Sequence, residues 1–133
     1  MLAMTSPVLD CELAIPADIS MLGAAREWAA NTAESFGMDE PACFQIKLAM
    51  SEAVTNAIMH GSASAADEVS IEAREHEEYL VFEVSDRATK HDGLPFDRLA
   101  EGGRGLAVVA LVMDQVQLTR AEQGSTLRFA KRR

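Results

Sequence analysis

Apolar and polar positions along the chain change period several times, and each change marks an element. Val8 to Ile15 alternates, which predicts a strand ended by Pro16. Asp18 or Ser20 then caps a helix running to about Ser35, with Ile19, Leu22, Ala25, Trp28 and Ala29 along its buried side. Gly37 breaks that helix, and Asp39 with Pro41 makes the N-cap region and first turn of a longer one. The longer helix, Phe44 to Gly61, is rich in Ala, Met, Leu and Glu, lacks Pro and closes at its glycine. Cys43, Ile46, Met50, Val54 and Ala57 fall on one stripe at helical pitch, a ridge for a core.

A turn of small residues, Gly61 to Ala66, leads into two strands, Val69 to Arg74 and Tyr79 to Ser85, joined as a hairpin through Glu75 to Glu78 and closed by Asp86. Arg87 to Glu101 is polar and irregular, and loops of roughly this length (about 15 residues) are usually functional lids or disordered. Gly102-Gly103-Arg104-Gly105 opens straight into the short apolar helix LAVVALVMD. Val116 to Arg120 and Ser125 to Lys131 form a closing hairpin across Ala121 to Gly124. The order β-α-α-β-β-loop-α-β-β predicts an α+β fold: a two-layer sandwich with helices on one face of a mixed, mostly antiparallel sheet. Residues 1–133 suit a single domain with one core.

The formal net charge of −9 argues against a nucleic-acid surface, which needs clustered Lys and Arg. Lys131-Arg132-Arg133 is the only basic run and reads as a chain end. From Asp67 to Asp86 there are 8 acidic residues against one Arg, the pattern of solvated strand faces. A chain this acidic would have to hold phosphates with backbone N–H groups, a helix end and a metal. Cys11 and Cys43 show no pairing signature and read as buried reduced thiols. Neither a signal peptide nor an apolar run long enough for a membrane is evident, so the expected location is cytoplasmic.

Three features carry candidate chemistry. Gln45, Glu52 and Asn56 lie roughly opposite the core stripe of the long helix, with only small Ala49 between them. Glu52 and Asn56 are four apart, so both point from one face into the same volume. By themselves they read first as the solvated face of an amphipathic helix. A carboxylate and a carboxamide so placed can also hold a hard cation, its waters and a reacting hydroxyl. The Gly102–Gly105 turn lets backbone approach phosphate oxygens at a helix N-terminus, and reads equally as an ordinary loop-to-helix turn. Asp86, at a strand end, can accept a hydrogen bond from an exocyclic amine, although Asp often ends strands.

In order and spacing these stretches resemble the GHKL, or Bergerat-fold, ATPases. SEAVTNAIMHG is similar to their N box, VSDRATKHDGLPFD lies where the G1 box lies, and EGGRGLAVVALVMDQV resembles the G2 box. Within that superfamily the chain most resembles the RsbW-like anti-sigma-factor serine kinases, along nearly its whole length. The resemblance implies that Asn56 coordinates Mg²⁺ bridging the phosphates of ATP, and that Glu52 is the base toward a protein serine. It implies that Asp86 holds the adenine amine, that Gly103, Arg104 and Gly105 cradle phosphates, and that Thr126 brings a hydroxyl near the adenine. It implies as partners a sigma factor and a STAS-domain anti-anti-sigma protein, a homodimer, and no direct contact with nucleic acid or membrane. His60 matches a frequent histidine of the N box, and we read it as a cation at a helix C-terminus. The G1 box departs from the family: Asp86 is followed by Arg87, Ala88, Thr89 and Lys90 where the usual DxGxG has two glycines. That departure carries the alternative of a partner-binding module of the same fold that switches partners without phosphoryl transfer.

Overall fold

The computed structural model describes residues 10–61, 67–86, 104–121 and 124–133. The elements in order are β1 (Asp10–Pro16), α1 (Leu22–Ser35), α2 (Glu40–Asn56), β2 (Glu68–His76), β3 (Tyr79–Asp86), α3 (Arg104–Val112), β4 (Gln115–Ala121) and β5 (Gly124–Arg132). Among the described residues the element order is the predicted one, and the segment Arg87 to Glu101, read as a loop, lies outside them. The sheet runs β1-β2-β3-β5-β4, and all of its ladders among the described residues are antiparallel, with no parallel pair in the mostly antiparallel sheet.

Local chemistry sets the boundaries. Asp18 caps a short 3₁₀ turn, Ile19–Met21, by accepting from the Ser20 N–H at 3.0 Å, and α1 follows from it. Ile19 therefore sits before the helix and is 51% exposed, not on its buried side. α1 ends in a Schellman-type turn: Gly37 takes φ +95, and Met38 N–H donates to the Ala33 carbonyl at 3.0 Å. A Cβ at Gly37 would meet only the Arg133 side chain at 3.8 Å, so the positive φ, not space, is the reason for glycine there. Asp39 caps α2 through the Ala42 N–H at 3.0 Å, with Pro41 in the first turn, as predicted. The α2 backbone then widens into a π turn over Ala57–Gly61. The β2–β3 connection is tighter than expected. His76 pairs with Tyr79, leaving Glu77 and Glu78 as the turn, and Glu77 adopts φ 58.

The helices form one layer, with α2 between α1 and α3. That position explains why α2 buries more than a stripe. Ile46, Met50, Val54 and Ala57 are buried as predicted, and Ala49 and Ala53 join them, while Cys43 is half-buried. A helix with neighbours on both sides and a sheet beneath buries a wide arc. On the sheet, Val69, Ile71, Ala73, Leu80, Phe82, Val84, Leu127 and Phe129 face this layer. The Phe82 and Phe129 rings stack at 5.5 Å, and Trp28 of α1 meets Phe82 edge-on at 6.2 Å, which seats α1 over the sheet. On the open face, Arg74 and Arg128 pair with Glu83 at 3.5 and 3.8 Å, and Arg74 also with Glu72 at 3.1 Å. Those strand carboxylates are on a solvated face, as expected. Cys11 and Cys43 are free and half-buried.

Candidate functional site

Glu52 and Asn56 are half-buried on α2. Lys47 pairs with Glu27 of α1 at 3.6 Å, so α1 covers the Lys47 flank of α2. α3, the other helical neighbour, takes the opposite flank, where Ala49 is wholly buried and Gln45, Glu52 and Asn56 border it. The polar face predicted from spacing is therefore the margin of a packed groove. It is not free helix surface.

The direction of each element decides what meets there. Lys131, Arg132 and Arg133 at the β5 end line a cavity of about 370 Å³ with Gly37, Asp39, Pro41 and Gln45, so β5 finishes at the N-terminal end of α2. Lys131 Nζ donates to the Val112 carbonyl at 2.8 Å, which places the C-terminus of α3 at that end too. α3 therefore runs opposite to α2, and its first turn, beginning at Arg104, lies at the C-terminal end of α2 with Glu52 and Asn56. Antiparallel pairing brings the other two components to the same end: Asp86 closes β3 opposite Ser125 near the start of β5, and the π turn of α2 packs on both strands. Three elements, α2, β3 and α3, thus deliver a carboxylate–carboxamide pair, a second carboxylate and a helix N-terminus to one end of the sandwich.

Asp86 is 8% exposed and faces inward with Leu80, Phe82 and Val84. Its Oδ1 accepts from the Ser125 N–H at 3.4 Å. The hydroxyl beside it is Ser125, whose Oγ is buried and has no hydrogen-bond partner among the described residues. Thr126, expected to bring a hydroxyl to this place, is turned to the other face of the sheet, where its Oγ1 pairs with Ser85 Oγ at 2.9 Å. Strand period is the reason: side chains alternate faces, so a shift of one position reverses the side. Ser125 is the residue that sequence reading missed. It could have been found by counting alternation back from Phe129 and Leu127, which face the core.

A buried hydroxyl without a partner, next to an inward carboxylate, fits a planar ligand that presents both donors and acceptors. The first-turn N–H groups of α3 lack intrahelical acceptors and favour an anion beside that ligand. No three His, Cys, Asp or Glu side chains converge on a metal among the described residues. The Asn56 carboxamide offers at this end an oxygen of the kind a hard cation takes.

Residues 15–131 match the family model for the histidine kinase-like ATPase domain. The chain belongs to that family. It is an RsbW-like member of these ATPases: it is 27% identical over 121 residues to the serine-protein kinase RsbW of Oceanobacillus iheyensis, covering 80% of this chain and 77% of that one. Against the RsbW of Bacillus licheniformis it is 31% identical over 134 residues, covering 90% and 83%. The crystal structure of the RsbU and RsbW domains of Rv1364c from Mycobacterium tuberculosis superposes with a TM-score of 0.72 at 22% identity, a likeness of fold. That match covers 96% of this chain and 32% of the mycobacterial one. The histidine kinase-like ATPase match spans every residue named at the converging end, from Glu52 to Thr126. The Gly102–Gly103 part of the glycine turn and the Arg87–Lys90 departure lie outside the described residues, as do the side chains of His60 and Arg104. No helix among the described residues is long and apolar enough to cross a membrane.

Proposed function

We propose that this chain is an anti-sigma factor and serine-protein kinase of a partner-switching system. In this reading it works as a homodimer, sequesters a sigma factor, and uses Mg-ATP to phosphorylate a STAS-type anti-anti-sigma protein. The single observation that supports it most is the convergence of Glu52, Asn56, Asp86, Ser125 and the α3 N-terminus at one end of the sheet. The names of the RsbW relatives point the same way.

The division of labour follows from position. Asp86 takes the exocyclic amine of adenine, and Ser125 Oγ completes the hydrogen bonding at the ring edge. The first turn of α3, with Gly103, Arg104 and Gly105, receives the phosphates. Asn56 offers its carboxamide oxygen to Mg²⁺, which when bound neutralises phosphate charge. Glu52, one turn back on the same face, accepts the proton of a protein serine as that oxygen bonds to the terminal phosphorus and the bridging oxygen leaves with ADP. Phosphoryl transfer asks mainly for positioning and charge neutralisation, which these groups supply. The test is transfer of labelled phosphate from Mg-ATP to candidate STAS proteins. The wild type transfers, and Glu52→Gln binds ATP as well but transfers at least about 100-fold more slowly. Equal rates in the two proteins would sink the assignment of the base.

A second reading is supported by Arg87-Ala88-Thr89-Lys90 in place of the glycine-bearing G1 segment: a module that exchanges partners without phosphoryl transfer. It expects Glu52→Ala to leave partner exchange unchanged. A Glu52→Ala protein that no longer releases its sigma factor when antagonist and ATP are added would exclude it.

A further inference from the structure

The register of the sheet sets two rows of side chains next to each other at the end that carries Asp86. On the inner face Val69, Asp86 and Ser125 lie in line across β2, β3 and β5. One residue back, on the outer face, Ser70, Ser85, Thr126 and Thr119 lie in line across β2, β3, β5 and β4. A solvated face does not require hydroxyls: two rungs further along, the same face carries Glu72, Glu83, Arg128 and Gln117. In the hydroxyl row the middle two side chains are half-buried and joined, with Ser85 Oγ and Thr126 Oγ1 at 2.9 Å. That bond lies directly behind the rung on which Asp86 faces Ser125.

We propose that Ser85 and Thr126 are positioning residues of the nucleotide site: their hydroxyl bond on the outer face holds the last rung of the β3–β5 ladder at the spacing at which Asp86 and Ser125 read one amine-bearing base together. The inference rests on the reading of Asp86 and Ser125 as the pair that meets the base. The need for a clip comes from where that pair sits. Among the described residues the β3–β5 ladder ends with this rung, and strand ends open more readily than strand middles. The middle of the same ladder is held by the Phe82–Phe129 stack inside and by Arg128 with Glu83 outside. At the last rung the Ser125 N–H reaches Asp86 Oδ1 only at 3.4 Å, the long end of the hydrogen-bond range. A purine ring is rigid, so it meets a carboxylate on one strand and a hydroxyl on the next only while the two strands keep their separation. Hydrogen bonds weaken steeply when misaligned, and a cross-strand hydroxyl pair one rung back resists that misalignment without occupying the inner face. Thr126 thus serves the base from the opposite side of the sheet, through the strand that carries Ser125.

Calorimetry on the purified full chain tests it, with Mg-ATP and with the Mg-triphosphate of purine riboside, whose base lacks the exocyclic amine. The wild type prefers ATP by about tenfold or more, the penalty for leaving a recognising group unpaired. Thr126→Val keeps the shape and strand preference of the side chain and deletes its hydroxyl. It weakens ATP binding about threefold and leaves binding of the amine-free triphosphate as it was. Ser85→Ala does the same, and the double variant loses no more than either single one, because all three remove one bond. Thr126→Ser, which keeps a hydroxyl at that position, binds ATP like the wild type. A merely structural role would weaken both nucleotides alike or neither. The proposal is overturned by a Thr126→Val protein that prefers ATP as strongly as the wild type, by losses that add in the double variant, or by a Thr126→Ser protein as weak as Thr126→Val. Asp86→Ala separates the pair from the site it serves: if it abolishes the preference while Thr126→Val does not, the nucleotide site stands and the positioning pair falls. A wild type with no preference between the two nucleotides overturns both. Circular dichroism confirms the folding of each variant.

Discussion

The two ends of the sandwich use the same kinds of residue for opposite purposes. At the N-terminal end of α2, the last residues of the chain bind polar groups of three other segments. Lys131 caps the α3 carbonyl of Val112, and Arg132 binds Glu78 at 2.8 Å. Arg133 donates to the Phe36 carbonyl at 2.9 Å and lies over the Phe36 ring at 4.3 Å. At the far end, Glu52 and Asn56 stay half-buried and Ser125 Oγ is buried with no partner among the described residues. Polar groups that satisfy one another stabilise a fold, whereas polar groups held in place without partners stabilise a complex. The first end is fastened, and the second keeps a buried hydroxyl without a partner among the described residues, as the proposed nucleotide site requires.

Substitutions at each end separate stability from binding. Asn56→Ala has the largest effect: Mg-ATP affinity in calorimetry falls by about 30-fold or more, the loss of about 2 kcal/mol expected for a contact to a charged group, with the thermal midpoint unchanged. An equal loss of stability would place Asn56 in the fold, not the site. Arg133→Ala is the mirror case. It removes a charge-assisted hydrogen bond and a ring contact, costing about 1 to 2 kcal/mol in denaturant unfolding while leaving nucleotide affinity alone. Ser125→Ala sharpens the contrast, because its hydroxyl forgoes no bond among the described residues on removal. Stability stays within about 0.5 kcal/mol of wild type, and nucleotide affinity drops about three- to fivefold. The smallest change lies outside both ends. Glu77→Gly relieves a left-handed turn residue and gains up to about 1 kcal/mol in the same unfolding assay, with binding unaffected.

Much of this is legible in the order of residues alone. Asp39 and Pro41 announce the start of α2, Gly37 announces the end of α1, and the Glu52–Asn56 spacing places both on one face, because capping and helical pitch act over a few residues. The misreadings come from longer range. Ile19 has the right residue type for a core and the wrong place in the chain, since the turn capped by Asp18 displaces it. Thr126 and Ser125 are chemically alike in sequence; alternation from Phe129 and Leu127 turns Ser125 inward, and the pairing of β3 with β5 sets it opposite Asp86.

The sequence by itself determined the element order, the caps, the amphipathic helices and the residue types able to handle a phosphate and a cation. All of these follow from local backbone preference and from burial periods readable within one segment. Tertiary structure alone decided that α3 runs opposite to α2, that the Ala49 flank is packed, that Ser125 lies opposite Asp86, and that β4 is an edge of the sheet. Each depends on register and direction between segments distant in the chain. The same hydrophobic pattern permits several such arrangements until the core is packed and one of them is left.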